Sequence, residues 1–171
     1  MSDTLSFILK SSSAQMMNSL AHILKTAKIH AEAHEIDETV FLNSRLYPDM
    51  FPLLRQVQAG SDILGRGGAR ASGADMPSNP DTETSIDELI ARTARVNTYV
   101  QALDSSAIDA NATVTLNVPI GKDKTMPMEG RAYVSSFVLP NVHFHVTTTY
   151  ALLRHQGVKL GKRDFLMGGQ G

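Results

Sequence analysis

From Leu5 to about His34 the apolar residues Met16, Leu20, Ile23, Leu24, Ala27 and Ala31 recur at intervals of three and four, and His30 and His34 extend their stripe. Lys10, Gln15, Asn18, Lys25 and Lys28 fall on the other side. That spacing predicts one long amphipathic helix. The segment Asp37 to Pro48 reads as a linker, and a second helix is expected from Asp49, whose carboxylate suits an N-cap, with Pro52 in the first turn. Leu53, Leu54, Val57, Ile63 and Leu64 face inward as far as Gly65, and GRGGARASGADMPSNP reads as a loop. A third helix opens at Ser85 with Glu88 three residues on, a capping box, and carries the stripe Ile86, Leu89, Ile90, Val96, Val100 and Leu103.

The period then changes. Val114, Leu116 and Val118 alternate with Thr113, Thr115 and Asn117, and the β-branched and aromatic run Arg131 to Leu139 is expected to pair with them across a long PIGKDKTMPMEG loop. Pro140 and Asn141 stop that strand and cap a fourth helix, which runs through Arg154 and His155 to Gly157. The tail, MGGQG, is expected to fray. Four helices of this kind bury their stripes against one another, predicting a mainly α chain. It forms an antiparallel-type four-helix bundle with a β-hairpin inserted between helices 3 and 4.

A chain of 171 residues supports one core, so residues 1–166 are expected to form a single domain and 167–171 its frayed tail. Sixteen Lys and Arg are scattered among 17 Asp and Glu, for a net charge of -1. Without a basic stripe, nucleic acid is not expected as a partner. The absence of cysteine excludes disulfides, thiolate metal sites and thiol nucleophiles. No apolar run reaches the roughly 18 residues that span a bilayer, and no leader-like cleavage site follows the N-terminus, so a soluble cytoplasmic protein is expected.

Any metal site must be built from histidines and carboxylates. His30 and His34, four apart, have the spacing that lets two imidazoles approach one zinc, although a third ligand has to come from elsewhere. The alternative is a hydrogen-bonded His30 and a half-exposed His34. His143 and His145 point to opposite sides of their helix, and His145 and His155 lie about 15 Å apart along the axis, too far for one coordination shell. For each, a hydrogen-bonded structural histidine is the first reading and a functional one the second. Asp49 is either a ligand or general base, or the N-cap already described. Arg45, Gln56, Gln58 and Asp62 form a polar series, with Gln58 and Asp62 on one face as a solvated flank. Tyr150 reads as a core aromatic with its hydroxyl at the surface. GVKLGKR and GRGG lack the strand context of phosphate-binding loops, and Ser11, Ser12 and Ser13 lack a nucleophile elbow.

The segments RLYPDMFPLLRQVQ, DTETSIDEL and PNVHFHVTTTYALLRHQGVKLGKRDF together resemble a domain-of-unknown-function family grouped with the DinB-like superfamily of helical bundles. The resemblance runs from the first helix to Leu166. It implies a DinB-like four-helix bundle that is frequently a homodimer. In many such proteins a metal is held by one His near the start of the second helix and two His four apart on the fourth; some relatives are thiol-dependent transferases or hydrolases. This chain has no His between His34 and His143, and Thr149 and Ala151 stand where a second His on the fourth helix would be. The triad therefore does not transfer. What transfers is the branch's own pattern, Arg45, Pro48, Asp49, Gln56, Gln58, Asp62, His145, Thr148, Tyr150, Arg154, His155, Gly157, Gly161 and Lys162, with no role attached.

Three readings follow. The first is a small-molecule pocket between the helices lined by His30, Asp49, Gln56, His145, Thr148 and His155, with no cofactor; in an enzyme, a His would be acid or base and Asp49 its orienting partner. The second is a metal-dependent hydrolase, or a transferase, using His30 and His34 with Asp49 or His145 around a divalent ion. The third is a non-enzymatic dimeric interaction or stress protein.

Overall fold

The computed structural model describes residues 4–168. Its helices are α1 (Thr4–Ala33), α2 (Glu38–Leu42), α3 (Leu53–Ser72), α4 (Ile86–Ala102), α5 (Ser105–Ala110), α6 (Gly130–Tyr133), α7 (Leu139–His155) and α8 (Lys162–Met167). The strands β1 (Thr115–Pro119) and β2 (Thr125–Glu129) form one antiparallel hairpin between α5 and α6. The chain is thus mainly helical, with the hairpin between the third and fourth long helices. No described helix is long and apolar enough to cross a membrane.

The bundle is a ring in which α1 packs on α4, α4 on α3, α3 on α7, and α7 on α1. Its neighbours are not all antiparallel. Lys28 meets Asp87 and Ser13 meets Asn97, so α1 and α4 run in opposite senses. Asp62 meets Arg92 while Gly65 and Gly68 lie against Val96 and Val100, so α3 and α4 advance together. The expected antiparallel-type arrangement is corrected at the α3–α4 pair. Parallel neighbours need a connection that returns the chain to the end it came from. The strap of residues 73–85 rewinds about 25 Å, within the roughly 40 Å such a segment spans when extended.

The second long helix begins after Pro52, not at Asp49. Proline keeps the residue before it out of the helical region, so Phe51 cannot join a helix and Asp49 is left exposed in a turn. The predicted loop at Gly65 is also helix, continuing to Ser72 and ending at Gly73 with φ 75°. Its glycines serve close packing. A Cβ on Gly67 would lie 2.7 Å from Val138, one on Gly68 2.7 Å from Leu103, and one on Gly60 3.0 Å from the Cβ of His145.

The run Arg131 to Leu139 is helical rather than a strand. α6, a π-helical turn at Val134–Val138 and α7 are continuous, and Tyr133, Val134, Val138 and Val142 are buried along one side. Pro140 therefore does not start this helix. The wide turn, in which the Leu139 N–H donates to the Val134 carbonyl, lies where the proline ring would otherwise strike the preceding turn. The Asn141 amide donates to the Phe137 carbonyl at 2.7 Å. The partner of β1 is instead TMPME, inside the predicted loop. The Ser85–Glu88 capping box is present as expected. Met167 ends α8 and Gly168 caps it; residues 169–171 of the expected frayed tail lie outside the described residues. One apolar cluster draws on α1, α3, α4 and α7 and takes in Val118 of the hairpin.

Candidate functional site

Two helices that approach closely at a glycine create a seam in which a polar side chain has few possible partners. At Gly60 the α3 backbone lies against His145 of α7, and one turn earlier Gln56 reaches the same imidazole. Gln56 and His145 are 2% and 9% exposed. His145 Nδ1 and Gln56 Oε1 are 2.7 Å apart. The other end of the amide, Gln56 Nε2, donates to the Phe51 carbonyl at 3.2 Å. A carbonyl only accepts, so the Phe51 oxygen fixes which way the amide points. The amide oxygen then requires the proton on His145 Nδ1. By this relay the Nε2 of His145 carries the lone pair. It has no hydrogen-bond partner among the described residues and is not sealed from solvent.

Burial, reinforced by the nearby Arg55 guanidinium, holds His145 below the ordinary histidine pKa. It is therefore a neutral base at pH 7. Phe144 lies edge-on to its ring, with centroids 5.3 Å apart, and Arg55 sits over Phe51, 5.8 Å from that ring's centre. Phe51 and Phe144 are 50% and 57% exposed, so an apolar, aromatic surface borders the buried polar pair.

Of the six residues expected in one pocket, the hydrogen-bonding joins two, Gln56 and His145. Thr148 is buried one turn further along α7, its hydroxyl donating to the Phe144 carbonyl at 2.7 Å. Asp49 is exposed in the turn that Arg45 braces through the Met50 carbonyl. His155 is exposed at the end of α7. The residue that orients His145 is Gln56, not Asp49.

His30 is half-buried at the far end of α1, stacked on His34 at 4.1 Å and edge-on to Phe41. Among the described residues no three His, Asp or Glu side chains come together as a set that could hold a metal ion, so His30, His34 and Asp49 are not gathered. Thr149, four residues after His145, donates its hydroxyl to the His145 carbonyl at 2.9 Å.

The polar flank expected at Gln58 and Asp62 is buried instead. It belongs to a charge cluster centred on Arg92, which is 0% exposed. Arg92 Nη1 donates to both Glu83 oxygens at 3.0 Å, and Nη2 to Asp62 at 2.6 Å. Nη2 also lies 3.1 Å from Asp81, and the carbonyls of Asn79 and Pro80 accept from the same guanidinium. Gln58 donates to Glu83 at 3.0 Å. Burial raises the Glu83 pKa, but the hydrogen bonds from Gln58 and Arg92 outweigh it and leave the carboxylate below its usual value. Burial likewise opposes the Arg92 charge and is outweighed by Glu83 and Asp62. The cluster ties the strap to α3 and α4, and Arg55, bonded to Asp81 and Gln58, links it to the His145 seam. One sequence signal marks it: Arg92 falls between Leu89 and Val96 on the apolar stripe of α4.

A protein-family model described as Domain of unknown function (DUF1993) matches residues 9–166. Among solved structures, the chain is similar to one titled as the crystal structure of a DinB family member protein from Shewanella denitrificans. The two are 36% identical, the match covers 95% of this chain and 91% of that chain, and the TM-score is 0.85. No curated protein matches the chain.

Proposed function

The chain belongs to the DUF1993 family of domains of unknown function and has a DinB-like fold, and we propose that it binds a small molecule at the α3–α7 seam. His145 Nε2 is the acceptor for a donor group on the ligand. The observation that carries this reading is the Phe51–Gln56–His145 relay, which spends two buried polar groups on presenting one imidazole lone pair. A histidine needed only for packing has no use for an unpartnered, solvent-reachable nitrogen on a ring that meets the exposed Phe144 edge-on. The ligand class that fits pairs a hydrogen-bond donor with an apolar face for Phe51 and Phe144. Helical bundles commonly place small-molecule sites between their helices. If the ligand is also a substrate, His145 is the group positioned to accept its proton.

A second reading, a homodimeric interaction protein, is favoured by the outer face of α1. Phe7 and Ile8 are exposed there. Further along the helix a cleft of about 340 Å³ is lined by Ser11, Ala14, Gln15, Asn18, Leu166 and Met167.

A thermal-shift screen of small metabolites separates the two. Under the first reading a ligand present at about 100 times its Kd adds roughly 2.7 kcal/mol, or roughly 5–11 °C in Tm. The shift disappears in His145→Gln and Gln56→Leu. A blank result across a broad library, with a dimer by analytical ultracentrifugation, would replace it with the second. A shift that survives in His145→Gln would also overturn it.

A further inference from the structure

We propose that His30 and His34 form a two-imidazole site for a borderline divalent cation such as Ni2+, Cu2+ or Zn2+ at the C-terminal end of α1. This site is separate from the seam at His145 and does not depend on how that seam is read. The two rings lie one above the other on consecutive turns, with centroids 4.1 Å apart and planes 27° from parallel. Residues four apart on a helix project from the same face, and imidazoles so placed close on one ion by rotation about their side-chain bonds.

The tautomer of His34 is already suited to this. Its Nδ1 lies 2.8 Å from the His30 carbonyl, which can only accept, so Nδ1 carries the proton and Nε2 the lone pair. A backbone carbonyl on the remote ring nitrogen is the usual support of a metal-binding histidine. The His30 ring makes ring contacts to His34 and Phe41, with no hydrogen bond among the described residues to occupy its nitrogens.

The position also favours a cation electrostatically. α1 ends at Ala33, so the negative end of the helix dipole faces this turn. Burial, with smaller contributions from His34 and Lys159, holds His30 below the ordinary histidine value, so its metal-binding neutral form prevails at pH 7. Lys159 is the cation that opposes binding. With two nitrogen ligands from the chain, the remaining positions on the ion are filled by water. Imidazole selects nickel, copper and zinc over magnesium and calcium.

Calorimetric titration of the full chain, expressed without a His tag, with NiCl2 tests this. The expected result is one ion per chain, no heat with MgCl2, and affinity at least about 10-fold weaker in His34→Gln and in His30→Gln. His34 is exposed, so its replacement should leave the fold intact, as a melting curve will check. His145→Gln should bind Ni2+ as the wild type does. The proposal is overturned if there is no saturable binding up to about 1 mM, if affinity is unchanged in His34→Gln, or if it is lost in His145→Gln.

Discussion

An Arg92→Ala variant is expected to lose about 3–5 kcal/mol of stability, or roughly 6–20 °C in Tm. The loss comes less from the bonds removed than from the groups left behind. Glu83 and Asp62 are both buried and both lean on this guanidinium, and a buried carboxylate without its partner is costly. The carbonyls of Asn79 and Pro80 lose a donor as well, so the strap of residues 73–85 should loosen first. Adding Glu83→Gln and Asp62→Asn to an Arg92→Met background should recover much of the loss, because neutral groups tolerate burial better.

The pH dependence has a defined sign. In the wild type the Glu83 pKa is depressed on folding, so its contribution is complete above the unfolded-state value, about 4.3. That contribution declines as the pH falls through the folded-state value. In Arg92→Ala the Gln58 hydrogen bond still opposes the burial of Glu83 but the guanidinium no longer does, so its pKa rises above the wild-type value and acid relieves the variant. The gap between the two proteins should therefore narrow as the pH drops from 7 towards 4. Urea titrations at both pH values measure it. A variant within about 1 kcal/mol of wild type would show that the cluster is not a structural tie.

Gly130→Ala is the second large effect, at about 3 kcal/mol or more and roughly 6–12 °C in Tm. A Cβ at this position would lie 2.1 Å from the carbonyl oxygen of Asn111. The obstacle is backbone, not the end of a flexible side chain. The Gly130 N–H also donates to the Val114 carbonyl at 2.9 Å, fixing the end of the hairpin to the start of α6. Relief of the clash must move either the 3₁₀ turn at Asn111–Thr113 or the helix that carries His145. The expected signature is a lower Tm together with loss of chemical-shift dispersion around Val114 and Gly130. An unchanged Tm would mean that the hairpin and α6 separate without cost.

Much of the fold was legible because its signals are local. The three-four spacing of α1 and the Ser85–Glu88 box of α4 need no knowledge of the rest of the chain, and both stand where expected. The misreadings share a cause, which is that the residues concerned answer to tertiary neighbours. Gly65, Gly67 and Gly68 look like helix breakers, yet they are small because Pro77, Val138 and Leu103 press against them. The valines and aromatics of Arg131 to Leu139 have strand propensity but pack with helical spacing. TMPME, with a proline and two methionines, lacks a strand signature and is one nonetheless, held by its register with β1.

The candidate site was legible in the same measure. Gln56 and His145 were both expected in a pocket, and they do bond, but across 89 positions of sequence that no spacing rule connects. Asp49 was paired with the second helix by its cap chemistry, and Pro52 overrode it. The Arg92 cluster went unread because Gln58 and Asp62 look like a solvated face until the strap is laid over them.

The state of the His145 imidazole is the most direct test of the proposed site. Long-range ¹H–¹⁵N correlation spectra across a pH titration report both the tautomer and the pKa of this ring. The expected spectrum has the neutral ring protonated at Nδ1, a pKa below the ordinary 6.5, and a change of tautomer population in Gln56→Leu. A ring protonated at Nε2 in the wild type, or a pKa at or above 6.5, would mean that Gln56 does not set the histidine and that the lone pair assigned to the seam is not there.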